Sequence, residues 1–131
     1  MSDRLQVSEV PGDVASVVAR LTSSLRARQV EVFATIDHAA GARLAGLELA
    51  DEVLLVFGNP AVGTALMQAD PRCGLDLPLR VLVWSQDGTT RVAYQDPARL
   101  ADRYAVGSEQ PTLSKLGGLL EQVVAEAGRP G

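Results

Sequence analysis

The stretch Val53-Leu54-Leu55-Val56-Phe57-Gly58-Asn59-Pro60 decides the fold class of this chain. Its five apolar residues are too few for a typical helix, and a Gly-Asn-Pro turn signal ends them. Such an unbroken run predicts a strand that is buried on both faces. Asn59 is a good N-cap and Pro60 suits the first helical position, so a helix is expected to follow, ending near Ala69 before Asp70-Pro71.

The sequence before this stretch predicts two strands, an amphipathic helix and a short Ala-rich helix. Leu5 to Val10 alternates apolar and polar residues, which indicates a short strand ended by Pro11-Gly12. Over residues 13–28 the apolar positions have the spacing of one helix face. A strand over residues 30–37 is expected to place Val30, Val32, Ala34 and Ile36 on one face and Glu31, Phe33, Thr35 and Asp37 on the other. A short Ala-rich helix over 39–45 follows.

The chain after residue 70 predicts a hairpin and two further helices. Strands over residues 79–85 and 90–94 flank Asp87-Gly88, a strong signal for a two-residue hairpin turn. This turn implies three facing pairs, namely Val83 with Val92, Val81 with Tyr94, and Trp84 with Arg91. Asp96-Pro97 is expected to begin a short helix that ends near residue 104, and an amphipathic helix is expected after Pro111.

This order of elements predicts an α+β fold, a mostly antiparallel sheet with helices on one face. The opposite face would carry Phe33, Leu82 and Trp84 together with one side of the 53–57 run. A monomer would leave this apolar surface in contact with water. We therefore expect a second copy of the chain to cover it, in a homodimer.

The length and composition are those of one ordinary domain. With 131 residues, 47% hydrophobic and 21% charged, the chain is not of a disordered or fibrous class, and we expect a single domain over 1–131 with a loose tail at 128–131. A net charge of -4 with scattered basic residues argues against nucleic acid or a membrane surface as partner. The chain has one cysteine, no apolar stretch long enough to span a bilayer, and a polar N-terminus (Met1, Ser2, Asp3, Arg4). These features predict a cytoplasmic protein.

Several short motifs are spread along the chain. They are Ile36-Asp37-His38, Phe57-Gly58-Asn59-Pro60 with Gly63, Leu66-Met67, Gly74-Leu75-Asp76-Leu77-Pro78 and Asp96-Pro97. In this combination the chain resembles the bacterial and archaeal domain-of-unknown-function 302 family over nearly its whole length. The resemblance implies an α/β fold associated with TATA-box-binding-protein-like domains, a homodimer and no established activity.

One branch of that family has a Cys directly before the Asn-Pro pair and another directly after the Leu-Pro pair. Gly58 and Leu79 occupy these positions here. The thiol redox or soft-metal role of that branch is therefore not implied for this chain.

Asp37 and His38 are the candidate catalytic residues. A strand end can present a carboxylate and the only imidazole of the chain as acid or base at the rim of a sheet. Neighbouring strand residues point to opposite faces, so the two can act as a pair only if the strand ends between them. His38 could instead be a structural residue that bonds backbone or closes the edge of the core, or it could be an axial haem ligand. One His without a Cys cluster does not predict a metal site, and no cofactor is expected.

The candidate ligand-binding residues are Gly58, Asn59, Arg80 and Trp84. Amides at the helix start after Gly58 could hold an anion, although the same residues also suit a plain helix cap with glycines for close packing. Arg80 and Trp84 could bind a carboxylate or stack on a ring, or pair across strands at an interface. Cys73 has only Arg72 nearby to activate it, which favours an inert thiol.

Two hypotheses of function follow. The first is a homodimeric small-molecule-binding or accessory protein, because the sheet is apolar on both faces and no strong catalytic constellation is present. The alternative is a small cofactor-independent enzyme, such as an isomerase, cyclase or lyase, in which Asp37 or His38 is the acid or base in a pocket near Asn59 and Trp84. A deep pocket containing His38 would favour the enzyme.

Overall fold

Five strands form a single antiparallel sheet. In the computed structural model, which describes residues 5–129, the strands are β1 (Leu5–Val10), β2 (Glu31–Asp37), β3 (Glu52–Gly58), β4 (Leu79–Gln86) and β5 (Thr89–Gln95). Their spatial order is β1-β5-β4-β3-β2, and every neighbouring pair is antiparallel. The predicted antiparallel α+β fold is confirmed, whereas the likeness to TATA-box-binding-protein domains stays a prediction. The polar residues 1–4 lie outside the described residues.

Helices follow the strands where the sequence predicts them. They are α1 (Val14–Ala27), α2 (His38–Leu44), α3 (Pro60–Ala69), α4 (Leu100–Arg103) and α5 (Gln110–Ala127), with short 3-10 turns at Pro71–Asp76, Pro97–Arg99 and Gly107–Glu109. Asp13 caps α1 by accepting a hydrogen bond of 2.8 Å from the amide of Ser16. In the predicted loose tail, the amides of Gly128 and Arg129 still donate to carbonyls of α5, and residues 130 and 131 are outside the described part.

Helices α1 and α5 cover one face of the sheet and form the main core with it. The residues with at most 1% of their surface exposed include Leu21, Leu55, Phe57, Val83 and Leu120. Burying each such side chain stabilises the fold by about 1.5–3 kcal/mol. At the edge of this core, Glu126 of α5 accepts a hydrogen bond of 2.6 Å from Ser24 of α1 and one of 2.8 Å from Arg28, the C-cap of α1.

A second, smaller core holds the chain between α3 and β4. Its buried residues are Leu66, Cys73, Leu100, Tyr104, Val106 and Leu113. Beside it, the buried carboxylate of Asp70 accepts hydrogen bonds of 2.9 Å from the side chain of Arg72 and from the amide of Ala105. Asp76 accepts one of 2.6 Å from the hydroxyl of Tyr104. These bonds attach the 71–76 turn to the segment that ends α4.

Strands β4 and β5 form the predicted hairpin. Asp87 and Gly88 have φ angles of 53° and 78°, the left-handed backbone of a primed two-residue turn. The predicted pairs found in the ladder are Val83 with Val92 and Trp84 with Arg91. The third predicted pair, Val81 and Tyr94, lies beyond the end of the ladder. The two strands therefore separate sooner than the turn alone implies.

A β-bulge in β2 changes which side chains share a face. The pairing with β3 shifts between Val32 and Ala34, so Phe33 is an extra residue in the strand. Val32 packs against the main core, whereas Ile36 pairs with Leu54 on the opposite face. The prediction that Ala34 and Ile36 share a face with Val32 is therefore wrong, because an extra residue inverts the two-residue alternation beyond it.

The face of the sheet opposite α1 and α5, which we call the open face, has an apolar row across all five strands. In cross-strand order the row is Val7, Ala93, Leu82, Leu54 and Ile36. Its two ends, Val7 and Ile36, are 52% and 42% exposed. The predicted burial of β3 on both faces is thus met on only one face within a single chain. Leu55 and Phe57 are fully buried, whereas Leu54 is partly exposed.

Candidate functional site

An apolar pocket of about 250 Å³ lies where β3 leads into α3. It is enclosed by the β3–α3 turn, the first turns of α3, the chain before β4 and one side chain of α5. Residues that line it include Gly58, Asn59, Gly63, Met67, Gly74 and Leu116. We call it the Asn59 pocket. Two of the predicted ligand-binding residues, Gly58 and Asn59, therefore lie in the wall of one cavity.

Asn59 is the N-cap of α3 and lines this pocket. Its Oδ1 accepts a hydrogen bond of 2.9 Å from the amide of Ala61, so the predicted cap is confirmed. Pro60 occupies the first turn, where its missing N–H leaves no bond unmade. The Nδ2 group of Asn59 donates to no residue of 5–129. This group is therefore free to donate a hydrogen bond to a ligand.

Glycines keep the Asn59 pocket open. A Cβ atom on Gly74 would lie 3.1 Å from the Sδ atom of Met67, so even alanine would move that side chain. A Cβ atom on Gly58 would lie 3.6 Å from the ring of Phe33. At Gly63 the nearest atom to an added Cβ is the Cε of Met67, at 3.8 Å. Alanine therefore fits at position 63 and occupies space in the pocket.

A second cavity, of about 400 Å³, lies where β4 and β5 separate. The ladder between them ends at Leu82 and Ala93. Beyond this point β4 continues beside β3 alone, and β5 continues beside β1 alone. We call the opening the sheet cleft. Arg80 and Trp84, the other two predicted ligand-binding residues, both line it.

The charged groups that line the sheet cleft are Asp76, Arg80 and Arg99. The Nη1 atom of Arg99 lies 3.8 Å from Oδ2 of Asp76, too far for a hydrogen bond. The hydrogen bond from Tyr104, with the nearby guanidinium groups of Arg99 and Arg103, holds the pKa of Asp76 below its ordinary value. Arg80 is exposed and has no ion pair among residues 5–129. Two guanidinium groups thus face the cleft against one carboxylate.

Asp37 and His38 lie at the junction of β2 and α2. The strand ends between them, which is the condition for the two to act together. However, Oδ1 of Asp37 caps α2 by accepting a hydrogen bond of 2.9 Å from the amide of Ala40. His38 is exposed, no hydrogen bond or ion pair joins it to Asp37, and neither residue lines the Asn59 pocket or the sheet cleft. Their role as acid or base stays a prediction.

His38 and Asn59 lie at opposite ends of the β2–β3 pair. Asp37 pairs with Val53, whereas Asn59 follows Gly58 at the other end of β3. Five residues of extended strand separate these ends by roughly 17 Å. Within one chain, the predicted pocket shared by His38 and Asn59 is therefore not formed.

Cys73 is fully buried in the second core. Burial raises the pKa of its thiol, which disfavours the reactive thiolate. Among residues 5–129, no three His, Cys, Asp or Glu side chains are grouped closely enough to hold a metal ion.

Several residues of the two cavities were not among the predicted site residues. Met67 and Asp76 belong to the short motifs of the chain, and this membership could have identified them as site residues. Leu116 and Arg99 carry no such signal, because each belongs to a segment far along the chain that only the tertiary structure brings to the site.

The fold and the motif residues agree with one family. The model of the family named "Domain of unknown function DUF302" matches residues 6–126. The chain belongs to this family. The crystal structure of "uncharacterized conserved protein DUF302 from Bacillus stearothermophilus" superposes with a TM-score of 0.76 over 97% of both chains, at 20% sequence identity. At this identity the likeness to that DUF302 protein supports the fold alone.

Two Brucella relatives are much longer than this DUF302 chain. They are named "Fluoride-specific ion channel FluC 1", from Brucella suis biovar 1, and "Fluoride-specific ion channel FluC 2", from Brucella melitensis biotype 1. Each is 44% identical over 96 residues, or 72% of this chain, which spans 37% and 35% of their respective lengths. Within residues 5–129, none of the helices has the length and apolar character needed to cross a membrane.

Proposed function

We propose that this chain is a homodimeric small-molecule-binding or accessory protein whose ligand occupies the Asn59 pocket. The observation that carries the proposal is the convergence of separate chain segments, at positions 58–67, 74–79 and 116, around one apolar cavity of about 250 Å³. A concave, mostly apolar site with a few polar groups is the usual form of a small-molecule site in proteins.

The lining of the Asn59 pocket supports a small, mainly apolar ligand with one hydrogen-bond acceptor. Leu66, Met67 and Leu116 supply the apolar contacts. Nδ2 of Asn59 and the hydroxyl of Thr64 are the side-chain donors on the wall. No charged side chain lines the pocket, so a ligand with a net charge would lose hydration without gaining a partner.

The open face supports the homodimer. Its apolar row crosses every strand of the sheet, and the two ends of the row, Val7 and Ile36, are exposed. A large apolar patch of this kind often marks an interaction surface. A second copy would cover the row by a self-complementary contact about a two-fold axis.

Native mass spectrometry of the purified protein tests the ligand. We expect one small apolar molecule per chain, and we expect Gly63→Ala to retain much less of it because the added methyl group occupies the pocket. Gly41→Ala is the matched control, since it makes the same change in α2, where an added Cβ meets nothing within 4 Å. Equal retention by both variants, or a wild-type protein that binds no apolar fragment, would refute the proposal.

The Brucella relatives favour a more specific accessory role. Proteins named as fluoride-specific ion channels contain a segment similar to this chain as about a third of their length. Since no helix in residues 5–129 can cross a membrane, such a segment would be an addition to the membrane-spanning part of a channel. We propose that this chain acts beside a fluoride channel and modulates it.

Fluoride efflux from liposomes that carry a fluoride channel tests this role. We expect the added chain to change the efflux rate at least twofold, whereas an unrelated protein of the same size and net charge should leave it unchanged. An efflux rate independent of the added chain would contradict the accessory role and leave the Asn59 pocket to its own test.

A further inference from the structure

We propose that the sheet cleft is a second binding site, one that takes a small aromatic carboxylate. This inference goes beyond the proposed function, because the cleft is a different cavity from the Asn59 pocket. Its volume of about 400 Å³ lies within the usual range for small-molecule sites.

The cleft forms because the sheet itself opens. Beyond Leu82 and Ala93 no ladder joins β4 to β5, so the opening leads from the open face toward the helix layer. Its lining includes Leu54 on the open face and Leu100 and Leu120 from the helix side. A ligand in this position would lie against the helix layer on one side, and in the homodimer that we propose the second copy would cover it on the open face.

The charge of the cleft favours an anion. Asp76 already accepts hydrogen bonds from Tyr104 at 2.6 Å and from Arg103 at 3.1 Å. The Nη1 atom of Arg99 lies 3.8 Å from the same Oδ2 atom. The side chain of Arg99 is 15% exposed, so part of it is open to a ligand. Arg80 has no ion pair among residues 5–129. Arg80 therefore lacks a carboxylate partner, and Arg99 has an ion pair with Asp76 but no hydrogen bond to it. A carboxylate ligand would match the planar donor geometry of both arginines.

The apolar part of the cleft favours an aromatic ring as the body of the ligand. Leu54, Leu82 and Trp84 line it on the open face. The indole N–H of Trp84 donates to Oε1 of Gln86 at 3.0 Å, which holds the side chain beside the cleft. An aromatic ring can stack on the indole while its carboxylate reaches the arginines.

Benzoate, with benzyl alcohol as its neutral counterpart, tests the site. Trp84 is the only tryptophan of the chain, so its indole N–H gives one identifiable resonance in a two-dimensional ¹⁵N NMR spectrum. We expect benzoate to shift this resonance saturably and to bind at least about tenfold more tightly than benzyl alcohol, because a charged hydrogen bond contributes at least this much.

Substitution of Arg80 tests whether its charge contributes to benzoate binding. Arg80→Gln should weaken benzoate binding at least about tenfold and leave benzyl alcohol unaffected, whereas Arg43→Gln, at an exposed site in α2, should change neither. Equal affinity for the two probes, no saturable shift, or unchanged benzoate binding by Arg80→Gln would overturn the inference. Gly63→Ala should leave benzoate binding intact, so failure here is distinct from failure of the Asn59 pocket.

Discussion

Trp84 lies directly opposite Arg91 in the β4–β5 ladder, and the Nε atom of Arg91 is buried without a hydrogen-bond partner among residues 5–129. Glu9 and Glu52 complete the same cross-strand row, with Nη2 of Arg91 3.8 Å from Oε1 of Glu9. This polar row runs beside the apolar row of the open face. An apolar centre with a polar border is the usual anatomy of a protein interface.

Leu82→Glu should therefore dissociate the dimer that we propose. Leu82 is the central residue of the apolar row, and a carboxylate there would be desolvated in the dimer. Sedimentation velocity at micromolar concentration should give twice the chain mass of 13.8 kDa for the wild type and 13.8 kDa for the variant. Leu75→Glu, at an 85% exposed residue outside the strands, should remain dimeric. A wild-type monomer with nothing bound on the open face would refute the interface.

Asn59→Ala should lower the free energy of unfolding by about 1 kcal/mol, because it removes the side-chain acceptor at the start of α3. Urea denaturation followed by circular dichroism measures this change. Asn59→Asp keeps an acceptor at the same position and should lose much less. An Asn59→Ala midpoint equal to that of the wild type would show that the cap contributes nothing.

Acid should weaken the contact between α1 and α5 through Glu126. Its hydrogen bonds from Arg28 and Ser24 lower the pKa of Glu126 from 4.5 to about 2. The lowered pKa means that this stabilisation is present above about pH 4.5 and is lost as the pH falls toward 2. Glu126→Gln should therefore flatten the fall in stability between these pH values. Glu121→Gln, at an exposed residue of the same helix, should keep the wild-type slope, and parallel acid limbs for all three proteins would contradict this account.

Cys73 should resist thiol reagents while the protein is folded. It is the only cysteine of the chain, it is fully buried, and burial raises the pKa of its thiol. Reaction with a disulfide reagent at neutral pH should be more than about a hundredfold slower than in urea, since it requires local or global opening. Rapid stoichiometric labelling under native conditions would show that the second core opens easily.

The sequence alone predicted the features that depend on near neighbours in the chain. The cap at Asn59 needs only a side-chain acceptor two residues before the amide that donates to it. The turn at Asp87-Gly88 needs only two residues that tolerate positive φ. The face of α1 follows from spacing along one helix. The antiparallel sheet with helices on one face follows from the order of these local elements.

The tertiary structure alone decided how these elements meet. The bulge at Phe33 depends on how β2 fits against β3, and the early end of the β4–β5 ladder depends on which neighbour each strand follows. Gly58 and Leu116 line one cavity, and Arg80 and Arg99 line the other, only through packing between segments far apart in the chain. Periodicity and turn chemistry describe interactions over a few residues. They do not predict contacts between residues far apart in the sequence, and both cavities are formed by such residues.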